Sequence, residues 1–75
     1  MPERLYMVIP CYNEQEVLPE TAKRLKAKLE ELIRRERIAP DSRILLVDDG
    51  SRDKTWAMIS ALHRKDKLFS GVKLS

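Results

Sequence analysis

At 75 residues the chain holds one domain at most, and a chain that short buries only about 60 % of its unfolded surface. Charged residues make up 36 % and hydrophobic ones 43 %, a globular balance that excludes disordered and membrane-spanning classes. A net charge of +3, most of it from one helix, is too small and too mixed in sign to point to nucleic acid. No apolar run approaches the ~20 residues of a bilayer span, and the N-terminus lacks a secretion pattern. The single cysteine, Cys11, has no partner within the chain and fits a reducing compartment, so a cytoplasmic setting is expected.

Residues 1–3 read as a lead-in and residues 4–9 as a first strand, apolar on both faces past Arg4. Pro10 removes a backbone donor and is expected to stop that strand, leaving residues 11–15 as a polar turn. Over residues 17–35, apolar side chains fall at Leu18, Ala22, Leu25, Leu29, Leu32 and Ile33, the spacing of a helix with one buried stripe. Pro19 suits its first turn; Glu16 and Glu20 sit at the positive end, and Arg34, Arg35 and Arg37 at the negative end. Pairs one turn apart are expected for Glu20 with Arg24, Lys26 with Glu30, Glu30 with Arg34 and Glu31 with Arg35. The basic character of this helix reads most simply as a solvated surface, with a membrane-surface role as the less favoured reading.

Residues 38–42, with Pro40-Asp41, form a connecting turn, and residues 43–48 a second strand. From Ile44 to Val47 every position is apolar, the pattern of a strand covered on both faces in a parallel sheet. Ser51 or Asp53 can cap a second helix over residues 54–64, with its stripe at Thr55, Met58, Ile59 and Leu62. Residues 65–67 are a charged turn, and residues 69–74 a third strand interrupted by Gly71. The expected fold class is α/β, a three-stranded parallel sheet in β-α-β-α-β order. If the strand order keeps moving one way, right-handed crossovers put both helices on one face, and the other face needs a cover this chain does not supply. The chain is therefore expected to be the N-terminal portion of a larger domain, residues 1–75, or to bury that face against a partner.

Parallel neighbours bring Pro10-Cys11-Tyr12-Asn13-Glu14 alongside Asp48-Asp49-Gly50-Ser51. Ligands of open α/β sheets bind outside the carboxyl ends of the strands, where turns supply polar groups. Neither Gly-x-Gly-x-x-Gly nor Gly-x-x-x-x-Gly-Lys occurs, so the usual phosphate cradles are missing. What remains suits a nucleoside: a carboxylate for a ring N–H, another for ribose hydroxyls, and Tyr12 as a stacking face. Asp48 and Asp49 point to opposite sides of the sheet, giving each its own role. Capping the turn is favoured for Asp48, ligand binding for Asp49 and helix capping for Asp53. Complementing the helix start and binding ribose stand as equal readings of Glu14. Cys11 lies in the mouth without a neighbouring base, since His63 belongs to the far end of the second helix, so it reads as a small buried thiol. His63 and Trp56 read as packing residues. No Cys and His cluster offers a metal site.

Residues 8–14 (Val-Ile-Pro-Cys-Tyr-Asn-Glu) followed by residues 44–55 (Ile-Leu-Leu-Val-Asp-Asp-Gly-Ser-Arg-Asp-Lys-Thr) resemble the opening of family 2 glycosyltransferases of the GT-A fold. The likeness is greatest to polyprenyl-phosphate sugar transferases of the dolichol-phosphate mannose synthase type. It implies a partial Rossmann-like GT-A nucleotide-binding half, with Pro10, Tyr12, Glu14 and Asp49 on the base and ribose and with Asp48, Gly50 and Ser51 ordering the turn. It further implies an inverting transferase using a nucleoside diphosphate sugar of the UDP or GDP type. The acceptor would be a (poly)prenyl phosphate at the cytoplasmic face of a membrane, or another acceptor. A Mg2+ or Mn2+ ion is implied for the full-length enzyme, with its ligands and the catalytic base later than the third strand, so no catalytic or metal residue is assigned here and the isolated chain is expected to be inactive.

Two other readings stand beside it. Paired aspartates after an apolar strand also occur in small Mg-dependent, receiver-like or phosphatase-like phosphoryl domains. Against this, Val47 stands where the phosphatase pattern needs an aspartate, and a receiver carries its acid pair on the first strand, which here ends in Pro10-Cys11. The third reading is a non-catalytic scaffold that dimerises through its bare sheet face.

Overall fold

The computed structural model describes residues 3–74; of the expected lead-in, Met1 and Pro2 lie outside the described residues, as does Ser75. The elements run β1 (Tyr6–Cys11), α1 (Leu18–Arg34), β2 (Arg43–Asp48), α2 (Thr55–Lys65) and β3 (Phe69–Lys73). The three strands form one parallel sheet in the order β1-β2-β3. This is the α/β arrangement expected from the alternation of short apolar runs and helical stripes.

β1 is longer than its sequence suggests, because Pro10 and Cys11 continue in register with Val47 and Asp48. The expected stop at Pro10 is corrected by the topology. Leu5 O accepts Arg43 N–H and Cys11 O accepts Asp49 N–H, so odd-numbered residues of β1 turn their backbone groups toward β2. The missing N–H of Pro10 therefore falls on the open edge of an edge strand, where nothing needs it.

Both helices pack on one face. Leu18, Ala22 and Leu29 of α1 and Ile59 of α2 are buried against Ile44, Leu46, Phe69 and Cys11. Leu25, Ile33, Met58 and Leu62 are partly buried around them, which completes the stripes that periodicity marks. The opposite face is bare. Register lines up Val8 with Leu45 and Ser70, and Pro10 with Val47 and Val72, and Tyr6, Val8 and Val72 remain between 40 % and 58 % exposed. Among the described residues nothing covers this apolar surface.

The connections are fixed by short-range polar contacts. Ser42, fully buried, donates to Ala39 O and accepts the N–H of Leu5, which sets the start of β2 against β1. α1 opens with Pro19 in its first turn, and Glu14 O accepts the N–H groups of Val17 and Leu18. Of the expected helix-surface pairs, Glu20–Arg24 and Glu31–Arg35 form. Lys26 instead reaches Asp66 at 2.5 Å, and Arg34 pairs with Glu31 and not with Glu30. Asp66, just past α2, offers Lys26 a partner across the helix layer that spacing along one helix does not reveal.

Candidate functional site

The polar ends of β1 and β2 meet at one mouth, and the contact is built from hydrogen bonds between the two loops. Beyond Cys11 O and Asp49 N–H, the N–H of Asn13 donates to Ser51 Oγ at 2.8 Å and Asn13 Oδ1 accepts the N–H of Arg52 at 2.8 Å. Glu14 N–H donates to Thr55 Oγ1 at 2.8 Å. Gln15 N–H donates to Asp53 Oδ2 at 3.2 Å, and Gln15 Oε1 accepts Lys54 N–H at 3.1 Å. Exposed backbone donors are thus matched by side chains of the facing loop.

Alternation along β2 decides what each aspartate does. Asp48 follows Ile44 and Leu46 onto the helix face and is fully buried, where Oδ1 accepts the N–H of Ser51 at 3.0 Å while Oδ2 has no partner. Asp49, one residue on, is exposed. Gly50 carries the turn at a φ of 79°, in the left-handed region open to glycine. Asp53 accepts both the N–H and the hydroxyl of Thr55 through Oδ1, so of the two residues able to open α2, Asp53 takes the first N–H and Ser51 turns to Asn13. The Thr55 hydroxyl is the main reason the Asp53 carboxyl lies below the usual carboxylate range.

Pro10 faces the open side of the sheet with Val47, and Tyr12, 56 % exposed, comes next along that loop. Pro10, Tyr12 and Asp49 are all solvent-exposed where the two loops join. Glu14 is half-buried and lines a cavity of about 350 Å3 with Asn13, Gln15, Glu16, Val17 and Asp53. Cys11 is buried on the helix side, its thiol donating weakly to Ile9 O. Loss of solvation, followed by the nearby Glu14 and Asp48, pushes the thiol up from its ordinary value, the environment of an inert thiol and not of a nucleophile. His63 Nδ1 donates to Phe69 O at 2.7 Å, which makes it a tie between α2 and β3.

The residues that hold the mouth in shape are largely those the sequence leaves in the background. Asn13, Gln15 and Thr55 carry the bonds between the loops. A signal exists for Asn13, because asparagine is enriched where a non-glycine residue takes a positive φ, and it does so here at 49°. Gln15 and Thr55 leave no such trace, since their partners are about 40 positions away in the chain.

A parallel β-α-β-α-β sheet with its polar loops meeting at the carboxyl ends of adjacent strands defines a partial Rossmann-like half of the GT-A kind. The family model described as glycosyl transferase family 2 matches residues 6–75, and the chain belongs to that family. The chain is 46 % identical over 71 residues to an uncharacterized glycosyltransferase, YkoT, of Bacillus subtilis (strain 168), covering 95 % of this chain and 21 % of the relative. Undecaprenyl-phosphate 4-deoxy-4-formamido-L-arabinose transferases are also similar. That of Enterobacter sp. (strain 638) is 47 % identical over 57 residues, 76 % of this chain and 16 % of the relative. That of Pseudomonas syringae pv. syringae (strain B728a) is 41 % identical over 70 residues, 92 % of this chain and 19 % of the relative. The chain spans about a fifth of the length of these relatives. The resemblance carried by residues 8–14 and 44–55 is borne out at the level of the family and of its polyprenyl-phosphate sugar transferases.

Proposed function

We propose that this chain is the N-terminal, nucleotide-sugar-binding portion of an inverting glycosyltransferase. The enzyme moves a sugar from a nucleoside diphosphate of the UDP or GDP type to a polyprenyl phosphate at the cytoplasmic face of a membrane. The observation that supports this most is local: Tyr12 and Asp49 both stay exposed on two loops that are tied to each other through Cys11 O, Asn13 and Ser51. A ring with a free face and a carboxylate with free oxygens suit a base, one by stacking and the other by accepting a ring N–H. Pro10 walls the same side. Glu14 is the residue for ribose hydroxyls, reached around the start of α1. Asp48, Gly50 and Ser51 hold the turn that presents Asp49.

The diphosphate of such a donor calls for a divalent cation, Mg2+ or Mn2+, that neutralises its charge. Among the described residues no group of three or more His, Cys, Asp or Glu side chains is placed to hold one. No step through that ion is assigned to the described residues. They bind and orient the nucleoside, and the catalytic base belongs to residues outside this chain. Among the described residues no helix is long and apolar enough to cross a membrane.

Calorimetric titration of the folded chain with UDP and with GDP tests the reading. One of the two is expected to bind, with a loss of at least about tenfold in Asp49→Ala, the size of one hydrogen bond to a charged group. Binding of neither, or binding untouched by Asp49→Ala, overturns it.

A further inference from the structure

The nucleoside reading depends on how far Tyr12 stands from Asp49, and neither side chain is held by burial. On one side of Tyr12 the Cys11 carbonyl holds the Asp49 N–H, and on the other Asn13 holds the residues that follow Gly50. Asn13 has a φ of 49°, and from that conformation it grips the opposite turn twice, through its N–H to Ser51 Oγ and through Oδ1 from Arg52 N–H. Ser51 is itself tied to the buried Asp48, whose Oδ1 takes its N–H. Asn13 is thus fastened, through Ser51, to the end of β2 from which Asp49 emerges.

A second set of bonds lies behind it. Glu14 N–H donates to Thr55 Oγ1, the Thr55 hydroxyl donates to Asp53 Oδ1, and Asp53 Oδ2 accepts Gln15 N–H. This closed ring is anchored, because Thr55 is fully buried at the start of α2. It secures Glu14 and Gln15 from the helix side. Tyr12 lies beyond its reach, between Cys11, whose carbonyl accepts the Asp49 N–H, and Asn13, whose side chain and N–H grip the turn past Gly50.

We propose that Asn13 is a positioning residue for the nucleotide site: it touches no ligand but sets the gap between the Tyr12 ring and the Asp49 carboxylate. The proposal rests on the nucleoside reading above. Removing Oδ1 while keeping the backbone conformation releases Arg52 and lets the two loops separate, and affinity falls because the unbound site must then be ordered by the ligand. An acidic side chain at the same position restores an acceptor for the Arg52 N–H.

The test uses Asn13→Gly, which retains access to positive φ, and Asn13→Asp as the conservative rescue. In the ligand-free chain, amide exchange followed by NMR is expected to speed up about tenfold at Arg52 in Asn13→Gly, the scale of one net hydrogen bond. Exchange at Ile9 and Leu46 in the strands should not change. Affinity for whichever of UDP and GDP binds is expected to fall roughly five- to tenfold in Asn13→Gly, with both properties recovered in Asn13→Asp. Unchanged exchange at Arg52, or unchanged affinity in Asn13→Gly, overturns the role of Asn13 and leaves the nucleotide reading standing. A wild-type chain that binds neither nucleotide overturns that reading and the role of Asn13 with it.

Discussion

Gly71 shows how a single missing side chain sets a distance between elements. In the sequence it interrupts the third strand; in the fold it sits in register with Leu46 on the face where α2 packs. A Cβ built there would collide with Ile59 Cγ2 and lie 3.4 Å from Trp56 Cζ3. Ile59 is fully buried, and its Cγ2 sits on a branched Cβ whose χ1 is stiff in a helix, so it cannot swing aside freely. Gly71→Ala is therefore expected to destabilise the chain by about 1–3 kcal/mol through overpacking. Ser70→Ala, on the opposite face, should stay within about 0.5 kcal/mol. Urea melts of the two variants check this, and equal stabilities would show that α2 can shift. The two aspartates divide in the same way between chain and fold. Strand alternation alone sends Asp48 and Asp49 to opposite sides, but only the fold shows that Asp48 is completely enclosed, with one oxygen on the Ser51 N–H and the other without a partner.

At the scale of elements, the helices are legible because their stripes repeat every three or four residues, and the ends of α1 and α2 fall within a residue of the sequence reading. Their cross-ties are not legible, because a pair such as Lys26 with Asp66 joins α1 to the residue that ends α2. Lys26 is the first cause holding the Asp66 carboxyl below its usual value, the N–H of Leu68 the second, and Asp66 in turn raises the Lys26 ammonium. For a carboxylate with a depressed value, the stabilisation is complete above the unfolded value and disappears as the pH falls through the folded one. The advantage of wild type over Asp66→Asn is thus expected to be constant above about pH 5 and to shrink steadily below about pH 4. Denaturation midpoints of both proteins across that interval measure it. An advantage that grows on acidification would mean that the ammonium of Lys26 is not the partner that matters.

On the scale of the whole molecule, one sheet layer and one helix layer give a radius of gyration of 12.5 Å and extents of 41 × 21 × 18 Å. That radius exceeds the about 11 Å expected for a compact chain of this length, as suits a body with a single covered face. The bare side, with Tyr6, Val8, Leu45, Val47 and Val72 in adjoining rows, keeps a contiguous apolar surface in water. The isolated chain is expected to bind a hydrophobic dye such as anilinonaphthalene sulfonate while its circular dichroism shows the folded state. Val8→Lys combined with Val72→Lys should remove most of that fluorescence without unfolding the sheet. Dye binding unaltered by the two lysines would place the exposed apolar surface elsewhere.

The amino-acid order alone determined the element sequence, the parallel sheet, the family and the pairing of the two polar loops at one mouth. The elements, the sheet and the mouth follow from short-range chemistry: apolar runs of strand length, helical spacing, and turn residues at strand ends, whereas the family is carried by the resemblance of residues 8–14 and 44–55. The continuation of β1 through Pro10, the close approach at Gly71, the tie from Lys26 to Asp66 and the grip of Asn13 on the glycine turn were decided only by the tertiary structure. Each depends on which atom of a distant residue faces which, and hydrogen bonds and van der Waals contacts act over a few ångströms of space, whatever the separation along the chain.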